Sequence, residues 1–255
     1  MMTDSRQRTR GQVVRWGRQG ALAALMLGLV LPGAATARGS TGAVATPRVV
    51  ATIPVGRDPT GVAVDPVAHR AYVANNNDSS LSVLDTQRRV VVATSAVGLA
   101  PTSVAVDPTA QRAYVTNSDS GSLSVLDTRR DTVVATVGVG YLPNSVALDP
   151  ATHHAYVVND LSTVSVLDTR RTVVVATIEV GAGPDGVAVD PTAQRAYVTN
   201  SDSGTVSVLD TRRDTVVATV DVGASPAGVA VDPAAHRAYV TLYGNNSVAV
   251  LDTGM

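Results

Sequence analysis

The chain has 255 residues, no cysteine and a formal charge of −1, and its positive charges are all arginine. Without thiols, no disulfide can staple the fold and no lipidated cysteine can tether it. A near-neutral, slightly acidic chain makes no electrostatic case for nucleic acid or an anionic membrane as partner.

Residues 1–37 have the layout of a secretory signal peptide. Arg6, Arg8, Arg10, Arg15 and Arg18 form a basic region, Ala21–Leu31 an apolar core of 11 residues, and Ala35-Thr36-Ala37 a cleavage site. That core is too short to span a bilayer, so no membrane span is expected after cleavage, and the product is secreted, periplasmic or held at the cell surface. Residues 38–47 read as a flexible linker. From Arg38 onward the balance is 15 arginines against 20 acids, or −5.

Val49–Val55 (VVATIPV) reads as a strand by its β-branched content. Five repeats follow. The tyrosines of an Ala-Tyr-Val triplet recur at Tyr72, Tyr114, Tyr156, Tyr197 and Tyr239, spaced by 42, 42, 41 and 42. Asp-Pro and Leu-Asp-Thr recur in step. The copies at Ser103–Gly140 and Gly186–Gly223 differ at four of 38 positions. Each copy holds four short runs of Val, Ala, Tyr and Thr, separated by turn-forming stretches such as Asp-Pro-Thr-Ala-Gln and Ser-Asp-Ser-Gly. Runs such as VAV and AYV are apolar on both sides, so both faces of each sheet need cover. Four-stranded units at this period predict an all-β chain, a β-propeller of five four-stranded blades over residues 48–255. The fifth copy stops after its third strand. Residues 49–55 are expected to complete that blade and close the ring, giving a monomer; the competing reading is a remnant of a larger ring that dimerises through open edges.

The tetrads YVTN at Tyr114–Asn117 and Tyr197–Asn200, with flanking VAVDP, SVLDT and VVAT, resemble the YVTN family of β-propeller repeats found in surface-layer and other exported prokaryotic proteins. The resemblance covers Arg48 to Asp252, with YVAN, YVVN and YVTL as departures. It implies fold and export, and supplies no catalytic signature to transfer.

Alternating strands sort the loops into two rims. One carries the Asp-Pro and Leu-Asp-Thr turns with 12 arginines and 12 aspartates, a balance expected of ion pairs and turn hydrogen bonds. The other is net acidic and Asn-rich, with Asn75, Asn76, Asn77, Asn117, Asn144, Asn245 and Asn246. Residues that differ between copies here are candidate ligand contacts: Thr60, Thr102, Asn144 and Asp185 where the innermost strands begin, and Tyr243 and Asn245 in the last hairpin. His153-His154 is a second departure; in one extended strand the two would point apart, which argues against joint metal ligation. No catalytic residue, cofactor or metal is expected. The reading is an exported, non-catalytic binding or structural module that presents its acidic rim to a protein, glycan or cation. The alternative is a metal-dependent, lactonase-like hydrolase with its site at the axial mouth.

Overall fold

The structure, a computed structural model, describes residues 47–254; the expected signal peptide (1–37) and all but the last residue of the linker (38–47) lie outside the described residues. Nineteen strands form five antiparallel sheets. Sheet one holds β1 (Pro59–Asp65), β2 (Arg70–Asn75), β3 (Ser80–Asp85) and β4 (Val90–Ala96). Sheet two holds β5 (Pro101–Asp107), β6 (Arg112–Asn117), β7 (Ser122–Asp127) and β8 (Thr132–Gly138). Sheet three follows with β9 (Pro143–Asp149), β10 (His154–Asn159), β11 (Thr163–Asp168) and β12 (Val173–Glu179). Sheet four has β13 (Pro184–Asp190), β14 (Arg195–Asn200), β15 (Thr205–Asp210) and β16 (Thr215–Asp221). Sheet five has only β17 (Pro226–Asp232), β18 (Arg237–Leu242) and β19 (Ser247–Asp252). Each is a simple meander in chain order, so the fold is all-β and propeller-like.

The same turn chemistry is stamped on every sheet. Asp65 Oδ1 accepts the backbone N–H groups of Val67 and Ala68, both at 2.9 Å. Asp107, Asp149, Asp190 and Asp232 repeat the arrangement. The residue closing that turn (His69, Gln111, His153, Gln194 or His236) sits in the left-handed region, with φ between 51° and 59°. The aspartates of Leu-Asp-Thr cap the neighbouring turn on the same rim, and three also hold arginines: Asp127 Oδ2 lies 3.2 Å from Arg112 and 3.0 Å from Arg130, Asp210 Oδ2 lies 2.9 Å from Arg213, and Asp252 Oδ1 lies 3.0 Å from Arg237. The charge-balanced rim is therefore a structural one.

Burial works to raise the Asp127 and Asp210 carboxyls. The backbone N–H groups that they accept, together with the arginines, outweigh it and hold both below the usual carboxylate range. A depressed folded pKa stabilises above the unfolded value of about 3.9 and is lost as pH falls through the folded value. Acid unfolding is therefore expected below about pH 4. Asp127→Ala should lower stability at neutral pH by about 1–3 kcal/mol and flatten the acid limb of a circular-dichroism titration.

Packing follows the alternation of side chains across each strand. The tyrosine face of one sheet meets the opposite face of the next, producing four cores between five sheets. Tyr72, Leu81 and Val83 meet Val104, Ala113 and Val115. Tyr114, Leu123 and Val125 meet Val146, Ala155 and Val157. Tyr156, Val164 and Val166 meet Val187, Ala196 and Val198, and Tyr197 and Val206 meet Val229, Ala238 and Val240. Close approach of the innermost strands explains the glycines at the third place of β1 and β13. A Cβ on Gly186 would lie 2.6 Å from the Ala227 carbonyl oxygen, and one on Gly61 2.8 Å from that of Thr102.

The expected closure by residues 49–55 is not formed. The segment carries no ladder pairing, and β19 pairs only with β18. Its end is anchored to sheet one: a Cβ on Gly56 would press on Asn75, as one on Gly98 would on Asn117, and Arg57 pairs with Asp78 at 2.6 Å. The segment thus enters sheet one as β4 enters sheet two. Four repeats of one inter-sheet contact leave the first and last sheets apart, with their outer faces in solvent.

Candidate functional site on the loop rim

The residues singled out where the innermost strands begin are linked hand to hand across the sheets. The Thr60 hydroxyl donates to the Pro101 carbonyl at 3.0 Å. That of Thr102 donates to the Asn144 carbonyl at 3.0 Å, and the Asn144 side-chain amide donates to the Asp185 carboxylate. In sheet four the link shifts to Thr199, whose hydroxyl reaches the Ala227 carbonyl at 2.5 Å. The copies vary here, yet in sheets one to three the residue bonds the next inner strand. The mouth is a belt of neighbour-to-neighbour hydrogen bonds.

Asn75 and Asn117, expected on the rim, lie fully buried beneath it. The Asn117 amide donates to the hydroxyls of Ser122 at 3.1 Å and Ser124 at 2.9 Å. Asn75, Asn159 and Asn200 bond the corresponding hydroxyls. The ladder register turns this last residue of the second strand inward over the third. Among the described rim residues, Asn76, Asn77, Asn245 and Asn246 remain at least partly accessible.

Tyr243 and Asn245 stand elsewhere. They lie on a 3-10 turn (Tyr243–Asn245) that replaces the Ser-Asp-Ser-Gly hairpin, with Tyr243 84% exposed. Beside the turn, Ser201–Gly204, Asp221 and Gly223–Ser225 line an open groove of about 420 Å³ between sheets four and five. Asn245 overlooks it, since a Cβ on Gly223 would lie 3.2 Å from the Asn245 amide nitrogen. Asp202 and Asp221 are both exposed there. Sequence reading did not single out these two carboxylates, because hairpin and strand end meet only through the sheet register. The Ser201 and Ser203 hydroxyls donate to the Gly183 and Ala182 carbonyls, which fixes the groove wall.

On the opposite rim the paired histidines take different partners. His153 Nε2 lies 2.6 Å from an Arg170 guanidinium nitrogen, and His154 Nδ1 lies 3.5 Å from Asp214. Tyr156 donates to that same Asp214 at 2.9 Å, joining sheet three to sheet four. Among the described residues, no three His, Asp or Glu side chains stand close enough to hold a metal ion, and no helix is long and apolar enough to cross a membrane.

The family described as the choice-of-anchor I domain matches residues 60–254, from the start of the first sheet to the end of the last. The chain belongs to the choice-of-anchor I domain family. No curated protein matches it. The solved structures that this choice-of-anchor I domain resembles include a protein of unknown function from Desulfotomaculum acetoxidans DSM 771. The two are 16% identical, with a TM-score of 0.67 over 77% of this chain and 70% of that one. Hydrazine synthase of Kuenenia stuttgartiensis is 17% identical, with a TM-score of 0.47 over 78% of this chain and 97% of that one. The first likeness is one of fold alone. The family match is to the choice-of-anchor I domain, whereas the YVTN likeness rests on the tetrads.

Proposed function

We propose that this choice-of-anchor I domain is an exported, non-catalytic binding module that works at the cell surface. Its contact site is the groove between sheets four and five together with the Tyr243 turn. The observation that carries this reading is the placement of one exposed aromatic and one amide, Tyr243 and Asn245, beside a groove with two exposed carboxylates. An aromatic face stacked on a sugar or an apolar side chain, with carboxylates accepting hydroxyl or amine donors, suits a glycan or a basic protein segment. A divalent cation bridging Asp202 and Asp221 is a third occupant that this chemistry admits. The mouth residues Thr60, Thr102, Asn144 and Asp185 belong to the same rim, and their part in this reading is to set its shape. The hydrolase alternative would need metal ligands converging at the mouth, and no described cluster supports it.

A glycan array and a pull-down from envelope extract, run with purified protein, test the reading. Tyr243→Ala with Asn245→Ala should weaken binding by about tenfold or more, as loss of an interface anchor does. Asn144→Ala with Asp185→Ala should chiefly lower the melting temperature. Full binding by the Tyr243/Asn245 variant would move the site elsewhere.

A further inference from the structure

The first and last sheets expose apolar faces that the inner sheets bury. Tyr239, Val248 and Val250 in sheet five are 42%, 54% and 56% exposed, and Val62 and Val64 in sheet one are 43% and 56% exposed. These faces match the two sides of an interface already present in the molecule. Between sheets four and five, Ala188, Tyr197, Val206 and Val208 pack on Val229, Val231, Ala238, Val240 and Leu251. At the equivalent repeat positions the open face of sheet five carries Ala230, Tyr239, Val248 and Val250. The corresponding face of sheet one carries exposed Val62 and Val64, half-buried Val73, and buried Ala71 and Leu84. These nine positions keep the same residue types, whereas Leu242 and Ala249 of the same cluster correspond to Asn75 and Ser82 on sheet one.

The polar fastenings are duplicated as well. The Tyr197 phenol faces the Thr253 side chain, and the Thr199 hydroxyl donates to the Ala227 carbonyl. Tyr239 and Thr241 offer the same groups at the open end of sheet five, and exposed Thr86 and Thr60 occupy the matching places on sheet one.

The edge of β19 is the third element of the match. Sheet five lacks the outer strand that every other sheet has. A groove of about 310 Å³ runs along that edge, lined by Val220–Val222 and Ala249–Asp252. Val49–Gly56 (VVATIPVG) aligns with Val91–Gly98 (VVATSAVG) and leads into β1 as that stretch leads into β5, yet it has no strand partner.

We propose that these surfaces dock a second copy of this chain, head to tail. Sheet one of one copy packs on sheet five of the next, and its residues 49–55 add to β19 as the missing outer strand. The contact is heterologous, because different faces meet, and once the copies close on one another it covers the exposed apolar faces of sheets one and five and the edge of β19. The expectation of a monomer rested on closure within one chain, which the structure does not form.

Light scattering behind size exclusion on the purified chain should give a multiple of the single-chain mass. A single-chain mass at all concentrations would overturn the proposal. Val62→Asp with Val64→Asp spoils the sheet-one face, and Tyr239→Arg with Val250→Asp spoils the sheet-five face. Each double variant alone should run as a monomer with wild-type circular dichroism, since the side chains changed are solvent-exposed. Mixed, the two should form a dimer and nothing larger, because only one good face of each survives. Deleting residues 49–55 should lower the affinity between copies at least tenfold. Self-association of either double variant alone, or no complex in the mixture, would overturn the pairing. Rim binding by Tyr243 is independent of all these outcomes.

Discussion

Alkali should unfold this protein in one steep step between about pH 10 and pH 12, and the appearance of tyrosinate absorbance should coincide with the loss of β-sheet circular dichroism. The reason lies in four tyrosines sealed between sheets. Burial pushes the Tyr72 phenol up to about 12, against a smaller opposing effect of the Thr128 side chain. Burial also raises Tyr114 and Tyr197. Tyr156 is raised by burial and then by the Asp214 carboxylate that accepts its proton. In the unfolded chain each phenol ionises near 10. The folded state therefore binds more protons across this window, and stability falls as pH rises. For Tyr72 alone the contribution is on the order of 3 kcal/mol, fully present below the unfolded pKa and lost as pH rises through the folded one. Tyr72→Phe should move the alkaline midpoint upward at little cost at neutral pH, since no partner lies within hydrogen-bonding distance of the buried Tyr72 hydroxyl. Tyrosine ionisation near pH 10 with the circular dichroism intact would show that these phenols are not sealed.

The second large effect is expected at the buried asparagines. Asn117→Ala should lower stability by about 2–4 kcal/mol, read from urea melts. It removes two hydrogen bonds, strands the Ser122 and Ser124 hydroxyls away from water, and leaves a void. Sheet five shows how the same site is filled without polar groups. There Leu242 stands in place of the asparagine, 6% exposed, and Ala249 in place of the second serine. Asn117→Leu alone should still be destabilising, since it leaves Ser124 unpaired in an apolar setting. Adding Ser124→Ala should recover most of that loss, and the coupling between the two changes is expected at about 1–2 kcal/mol. Simple additivity would mean that Asn and Ser are not an energetic unit.

Much of the fold was legible because its determinants are local. Period, β-branched runs and the Asp-Pro and Leu-Asp-Thr turns each act within a few residues, and all recur in the sheets as read. What failed to show was set by distance. Whether Val49–Val55 reaches β19 depends on the angle accumulated over four inter-sheet contacts, and no local pattern of letters encodes that angle. At the strand ends, Asn75 and Asn117 read as rim residues because a polar letter beside a turn is usually solvated. Only the register of β6 on β7 puts Asn117 over two serines. One signal was available: the fifth copy changes the asparagine and its serine partner together, to Leu242 and Ala249. At the mouth, variation between copies suggested freedom from packing. The structure shows Thr60 and Thr102 making the cross-strand bond through a hydroxyl and Asn144 making it through an amide. Tyr243 was visible as a departure and Asp202 and Asp221 as acids of the same rim, but not their grouping, since 18 residues separate the hairpin from the strand end that completes the groove.

The third place of each innermost strand holds a small residue, Gly61, Ser103, Ser145, Gly186 or Gly228, so every joint in the array is built on the same pattern. A joint built on a recurring pattern can connect any two units that carry it. Loss or duplication of one 41- or 42-residue stretch within the gene would change the span of the arc and the gap between its ends, while creating no junction that selection has not already tested. The near-identity of the second and fourth units, 34 positions in 38, fits a chain lengthened by copying. It makes the number of sheets the most easily altered property of the molecule, and the chemistry of a single joint among the hardest.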